Sequence, residues 1–243
     1  MIEVRGIRKT FGTGDSAVHA VDHALFTVDD GDFTLILGRS GSGKSTLLAL
    51  IAGLIRPTEG SILINGTDIG TAADTRMAHL RARTMGFVFQ FSGLIPTLTA
   101  LENVLVPTLF LRDAPGNRER AMFLLGKVGV AGRAHAYPGT LSSGEMKRVA
   151  IARALINDPA ILIADEPTGD LDTDTEAEIM ALFRELNRGG ITIVMVTHNP
   201  DLIPCATNVY RMERGTLKKV PAGPACSSNP PGGPASVNTG DRV

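Results

Sequence analysis

The chain has no tryptophan, only two cysteines, no long apolar run and no excess of charge of either sign. Cys205 and Cys226 alone cannot assemble a disulfide framework or a four-ligand zinc site. A membrane-spanning helix needs about 18 consecutive apolar residues. The longest runs here, Leu47 to Ile55 and Ile191 to Val196, fall well short, so the chain is not expected to enter a bilayer by itself. Lys and Arg number 24 against 25 Asp and Glu, a formal charge of -1, which gives no reason to expect nucleic acid or an anionic membrane surface as a partner. The N-terminus, Met-Ile-Glu-Val-Arg-Gly-Ile-Arg, alternates like a half-buried strand and lacks the apolar stretch of a secretory signal, so a cytosolic location is expected.

What is present is the profile of a globular chain: 243 residues, 43% apolar and 20% charged, with 27 Gly and 14 Pro. At roughly 150 residues per domain this allows one large domain or two small ones. Alternation over Ile2 to Arg8 and Val18 to Val28 predicts two strands that pair antiparallel across the polar Gly12 to Asp15 connection. Phe33 to Leu37 is continuously apolar, as in a strand buried on both faces, and leads through a glycine-rich turn into a helical run from Lys44 to Leu54. Ser61 to Ile64 ends in the hairpin signal Asn65-Gly66, and Gly86 to Phe89 is another short strand. Thr99 and Glu102 stand at capping-box spacing before a helix that Pro107 breaks or kinks; Ser142 and Glu145 repeat the spacing before a helix to about Ile156, with a further helix over Arg118 to Val128 between them. Strands return at Ala160 to Ala164 and Ile191 to Val196, separated by a helix over Thr173 to Asn187. The expectation is an α/β fold: a parallel P-loop core with an N-terminal antiparallel β subdomain and a helical insert over about 91–158. Residues 221–243 hold five Pro and four Gly with almost no large apolar side chain, the composition of a disordered tail.

The chemistry begins at Gly38-Arg39-Ser40-Gly41-Ser42-Gly43-Lys44-Ser45-Thr46, which has the spacing of a P-loop. Its glycines let backbone N–H groups converge on phosphate oxygens, Lys44 reaches the outer phosphates and the Ser45 hydroxyl ligates Mg²⁺. Ile161 to Glu166 is an apolar strand ending in two carboxylates. Asp165 is placed to hold the same magnesium and Glu166 to orient and deprotonate a water. No Asn-Lys-x-Asp segment for guanine is present, so the pattern points to an ATP hydrolase.

Leu141-Ser-Ser-Gly-Glu-Met-Lys-Arg-Val-Ala-Ile-Ala-Arg-Ala-Leu155 narrows this, because it resembles the signature of ATP-binding-cassette (ABC) proteins. Ser142 opens a helix whose N-terminal N–H groups and dipole favour an anion, yet it lies in the insert, away from its own P-loop. The resemblance implies a head-to-tail homodimer in which Ser142 and Gly144 cover ATP held by the partner's P-loop. It also implies that Phe11 stacks on adenine, that Gln90 senses Mg²⁺ and the attacking water, that Gly169 to Asp172 crosses the dimer interface, and that His198 contacts the γ-phosphate. The chain departs from the family pattern at Ser143, where a glycine is usual, and at Arg39, where proline is frequent. The resemblance covers residues 1 to about 220 as one nucleotide-binding domain.

Gly86 to Val104, taken with Asp165 to Asp172, is similar to the ATPase subunits of the lipoprotein-releasing and macrolide-export group, which work with a separate membrane subunit. The resemblance therefore implies ATP and Mg²⁺ as ligands, and an ATPase at the inner face of the cell membrane that drives export or membrane extraction. Alternatives within the family are a cell-division signalling ATPase, an amino-acid importer ATPase and a soluble cassette acting on ribosomes or DNA. Phe91, Leu94, Ile95 and Leu98 are large apolar groups that a cytoplasmic helix of the permease would cover; packing against the helix from Thr99 is the other reading.

Overall fold

The alternating segments at the start of the chain pair as their pattern requires. In the computed structural model, which describes residues 1–111 and 117–221, β1 (Ile2–Phe11) and β2 (Val18–Val28) are antiparallel, with Ile2 opposite Val28. On the other side of β1 lies β4 (Glu59–Ile64), with Ile2 opposite Ile64. Asn65 and Gly66 both take positive φ (49° and 76°), the turn that matches strand twist, and β5 (Thr67–Asp68) returns along β4. The resulting sheet has the order β2-β1-β4-β5.

The second sheet is built on β3 (Phe33–Leu37), β6 (Met85–Val88), β7 (Ile161–Asp165), β8 (Thr192–Thr197), β9 (Asn208–Glu213) and β10 (Thr216–Val220). Its order is β10-β9-β3-β8-β7-β6, parallel except for the β9-β10 hairpin. Residues alternate between two apolar cores, which is why the strands read as continuous apolar runs. Leu35, Leu162, Ala164, Ile193 and Met195 face one core with the helices α3 (Ala100–Leu105), α4 (Arg118–Lys127), α5 (Ser143–Leu155) and α6 (Thr173–Arg188). Ile36, Ile163, Val194 and Val196 face the other, with α1 (Lys44–Ile51) and the antiparallel sheet. α5 lies close against β6: a Cβ on Gly86 would come within 2.3 Å of the Ala154 carbonyl oxygen, so only glycine fits there.

Both expected capping boxes are formed. Thr99 and Ser142 each accept from the backbone of the Glu three residues on, whose carboxylate accepts in return. Pro107 ends α3 by starting a 3₁₀ turn over Val106–Phe110. Two elements have no counterpart in the sequence reading, α2 (Asp74–Thr84) and the β9-β10 hairpin. Most of the tail expected to be disordered, residues 222–243, lies outside the described residues.

Candidate active site

β3 delivers the chain to the P-loop and α1 carries it away. Gly43, the residue before α1, has φ 104°, and a Cβ there would stand 2.1 Å from the Ala20 carbonyl oxygen; any other residue would push the loop off β2. No side chain caps α1, so its first N–H groups remain directed at the loop, the arrangement that binds anions. Lys44 is buried at 5% exposure. Its ammonium donates to the carbonyls of Gly38 (2.7 Å) and Arg39 (3.2 Å) and pairs with Glu166 Oε1 at 3.2 Å. The β9-β10 turn braces the loop from outside, because Gly215 N–H donates to the Ser42 carbonyl at 3.0 Å.

Asp165 ends β7, and one carboxylate oxygen, Oδ1, is buried without any hydrogen-bond partner. Burial pushes its pKa up, opposed by a hydrogen bond from Ser45; the charge of Glu166 raises it further, against Lys44 and Lys147. A buried carboxylate oxygen left without a donor, beside a serine hydroxyl at a helix start, fits a hard, oxygen-seeking cation such as Mg²⁺. Glu166 follows with φ 42°, a left-handed backbone that is strained for a non-glycine residue. The turn is held by its N–H to the Val196 carbonyl (2.9 Å). The side chain is thereby placed between Lys44 and His198, whose Nδ1 lies 2.6 Å from Oε2. Behind it, Glu176 Oε1 accepts from Thr168 (3.0 Å) and Asn199 (2.9 Å), tying the loop after Glu166 to the loop of His198.

These groups line one cavity of about 720 Å³: Arg39, Ser40, Gly41, Gly43, Lys44, Ser45, Thr46, Gln90, Glu166 and His198, together with Ala20 of β2. Gln90 joins the loop from just past β6, Glu166 from the end of β7 and His198 from the end of β8. Gly38 and Ser42 face a neighbouring cavity along the same loop, and Asp165 sits behind Ser45. Three expected site residues are not brought there. Phe11, at the end of β1, is 46% exposed with the Lys9 ammonium 5.2 Å from its ring centre. Ser142 and Gly144 stand at the head of α5, where Gly144 packs against Thr175 of α6. Signature and P-loop of one chain thus occupy different places, which is the separation their sequence positions required.

The segment after Gln90 corrects one expectation. Phe91 is 76% and Ile95 40% exposed, but Leu94 is buried in the core among Ala100, Leu101 and Val104, and Leu98 is half-buried. Asn103 fixes this fold-back by accepting from Ile95 N–H (2.7 Å) and donating to the carbonyls of Ile95, Leu98 and Thr99. Sequence reasoning also passed over Ala20 and the bracing turn at Gly215, which belong to no motif, and two cations of α5 that touch the backbone around Gln90, which lie within the signature segment but carry no role in its pattern.

Residues 21–169 match the family model described as ABC transporter. An uncharacterized ABC transporter ATP-binding protein of Thermotoga maritima is 44% identical over 90% of this chain and 94% of its own length. The lipoprotein-releasing system ATP-binding protein LolD 2 of Rhodopirellula baltica is 42% identical, over 90% of this chain and 89% of that one. The macrolide export ATP-binding/permease protein MacB of the same organism is 43% identical over 89% of this chain, which spans only 32% of its length. Among solved structures, the dimeric form of the MJ0796 ABC transporter cassette superposes with a TM-score of 0.84 at 37% identity, covering 90% of this chain and 98% of that one. A post-hydrolysis dimer of MJ0796 bound to ADP and Pi has the same TM-score at 36% identity. The chain belongs to the ABC transporter family, as an ATP-binding cassette with ATPase activity.

Proposed function

We propose that this ATPase energises export, or extraction of a substrate from the membrane, through a membrane-spanning partner at the inner face of the cell membrane. The observation that carries the catalytic part is the convergence of Lys44, Gln90, Glu166 and His198 on one cavity. Glu166 is the general base: its carboxylate, held by Lys44 and His198, accepts the proton of the water that attacks the outer phosphorus. Lys44, now bonded to loop carbonyls, turns its ammonium to phosphate oxygens, and the α1 N-terminus takes the inner phosphates. Ser45, Asp165 and Gln90 would hold Mg²⁺, which when bound neutralises phosphate charge. His198 faces the terminal phosphate, and Phe11 offers an exposed ring for the adenine. Ser142 and Gly144 complete the site of a second copy in a head-to-tail dimer, a reading supported by their distance from their own cavity and by the dimeric relatives.

Glu166→Gln keeps the side chain's shape without a base. The expected outcome is ATP binding within a few-fold of the unaltered chain and turnover lowered at least about 10²-fold. Lys44→Ala weakens nucleotide binding itself. Turnover at the original rate in Glu166→Gln would reject the assigned base.

A place for the partner is supported by a second cavity of about 740 Å³ beside the Gln90 segment, lined in part by Phe87, Phe89, Gly93, Val106, Pro107 and Phe110. Phe110 is 71% and Leu109 81% exposed, a concentration of apolar surface that a solitary protein rarely shows. A cytoplasmic helix of a permease is the occupant that fits: the groove adjoins Gln90, and relatives with export and lipoprotein-release names share this cassette. Phe110→Glu should leave basal ATPase activity intact and abolish recruitment to membranes carrying a co-expressed permease. Recruitment unchanged by Phe110→Glu would move the docking surface elsewhere.

A further inference from the structure

The segment that begins with Gln90 is held at its backbone, and by α5. Lys147, 5% exposed, donates to the carbonyls of Phe89 (3.1 Å) and Gln90. Arg153 donates to the carbonyls of Ser92 (2.6 Å) and Gly93 (2.7 Å). The two clamps stand six residues apart on α5, about 9 Å along its axis. Between the two clamps the Phe91 side chain points out to solvent.

Holding a buried ammonium there is costly for folding. Among the described residues no carboxylate lies within ion-pair distance of Lys147, and burial lowers its pKa, opposed only by the more distant charges of Asp170 and Asp165. An apolar side chain of similar volume would avoid that cost but would leave two carbonyls unsatisfied. The position is therefore occupied by a group whose donors matter, and two of the ammonium's three donors are spent on the loop that carries Gln90.

We propose that Lys147 and Arg153 are positioning residues that make segment 89–93 an extension of α5, so that Gln90 takes its place in the hydrolytic cavity from the helix that carries Ser142 and Gly144. The inference rests on the assignment of Gln90 to hydrolysis, and it concerns what sets that residue's position rather than what it does.

The test uses the full chain, with ATP turnover, ATP affinity and amide hydrogen exchange over 89–93 measured for Lys147→Met, Lys147→Gln and Gln90→Ala. Lys147→Met should bind MgATP within about 2-fold of the unaltered chain, lose about 10-fold or more in kcat, and exchange faster at 89–93. Lys147→Gln, which keeps N–H donors without a charge, should recover kcat to within about 3-fold and restore slow exchange. A merely structural residue would instead lower the thermal midpoint without dividing kcat from KM. If Lys147→Met does not fold, Arg153→Met, which removes the donors to Ser92 and Gly93, should speed exchange at 92–93 and lower kcat about 3-fold. Full activity in Gln90→Ala overturns the role of Gln90. Loss of activity in Gln90→Ala with full activity and unchanged exchange in Lys147→Met overturns the clamp.

Discussion

Single residues carry opposite loads in this cavity. Lys44 and Glu166 neutralise each other at 3.2 Å, whereas Asp165 keeps a buried oxygen with no donor. Such a group destabilises the fold, and the proposed cation site is what it would provide in return. Removing its charge should therefore stabilise the nucleotide-free chain while removing the site. Asp165→Asn is expected to raise the thermal midpoint by about 2–4 °C, the shift that about 1 kcal/mol produces in a chain of this size, and to abolish the further rise that Mg²⁺ adds in the presence of ATP. Calorimetry on both forms checks this; an unchanged Mg²⁺ response would remove Asp165 from the metal site. Leu94 illustrates the opposite case. Because it is 9% exposed in the core, Leu94→Asp buries an unpaired charge and is expected to unfold the segment rather than detach a partner selectively, at a cost of more than about 4 kcal/mol.

At the scale of elements, helix heads are held by carboxylates. Glu102, Glu145 and Asp172 all have lowered pKa values, in each case chiefly because a backbone N–H donates to the ionised side chain. The stability they give is fully present above the ordinary carboxylate value of about 4, and it is lost as pH falls through their lowered folded values. Glu102→Gln with Glu145→Gln should accordingly make stability depend less steeply on pH below about 4, as read by urea unfolding at successive pH values; an unchanged slope would remove the caps from the acid response. Elements with a pattern of their own were legible in the sequence: both capping boxes, the Asn65-Gly66 turn and the doubly buried strands. α2 was not, because only Met77 of its eleven residues is buried and no apolar period marks it. β9 and β10 were not, since they follow the last motif and alternate only weakly. In the site, the P-loop could be read from its spacing and the paired carboxylates from their place at the end of an apolar strand, whereas His198 came only with the family resemblance. Lys147 and Arg153 could not, because their partners are backbone carbonyls some 60 residues away, and in sequence they look like solvated helix positions. The apolar residues after Gln90 were legible as a group, but which of them turn inward depends on the fold-back held by Asn103.

For the whole molecule, the two halves of the proposed chemistry lie apart: the cavity holds Lys44, Gln90, Glu166 and His198, while Ser142 and Gly144 open a helix elsewhere. In the proposed composite site neither half is complete without the other, so that proposal requires a second copy, whose affinity nucleotide sets through mass action. Mixing Ser142→Arg chains with Lys44→Ala chains should restore turnover that neither has alone, since one composite site of the mixed dimer keeps both halves. The most direct measurement is the solution mass of Glu166→Gln by light scattering, with and without saturating MgATP. The expected result is the mass of one chain without nucleotide and of two chains with it; the mass of one chain under both conditions would contradict the composite site.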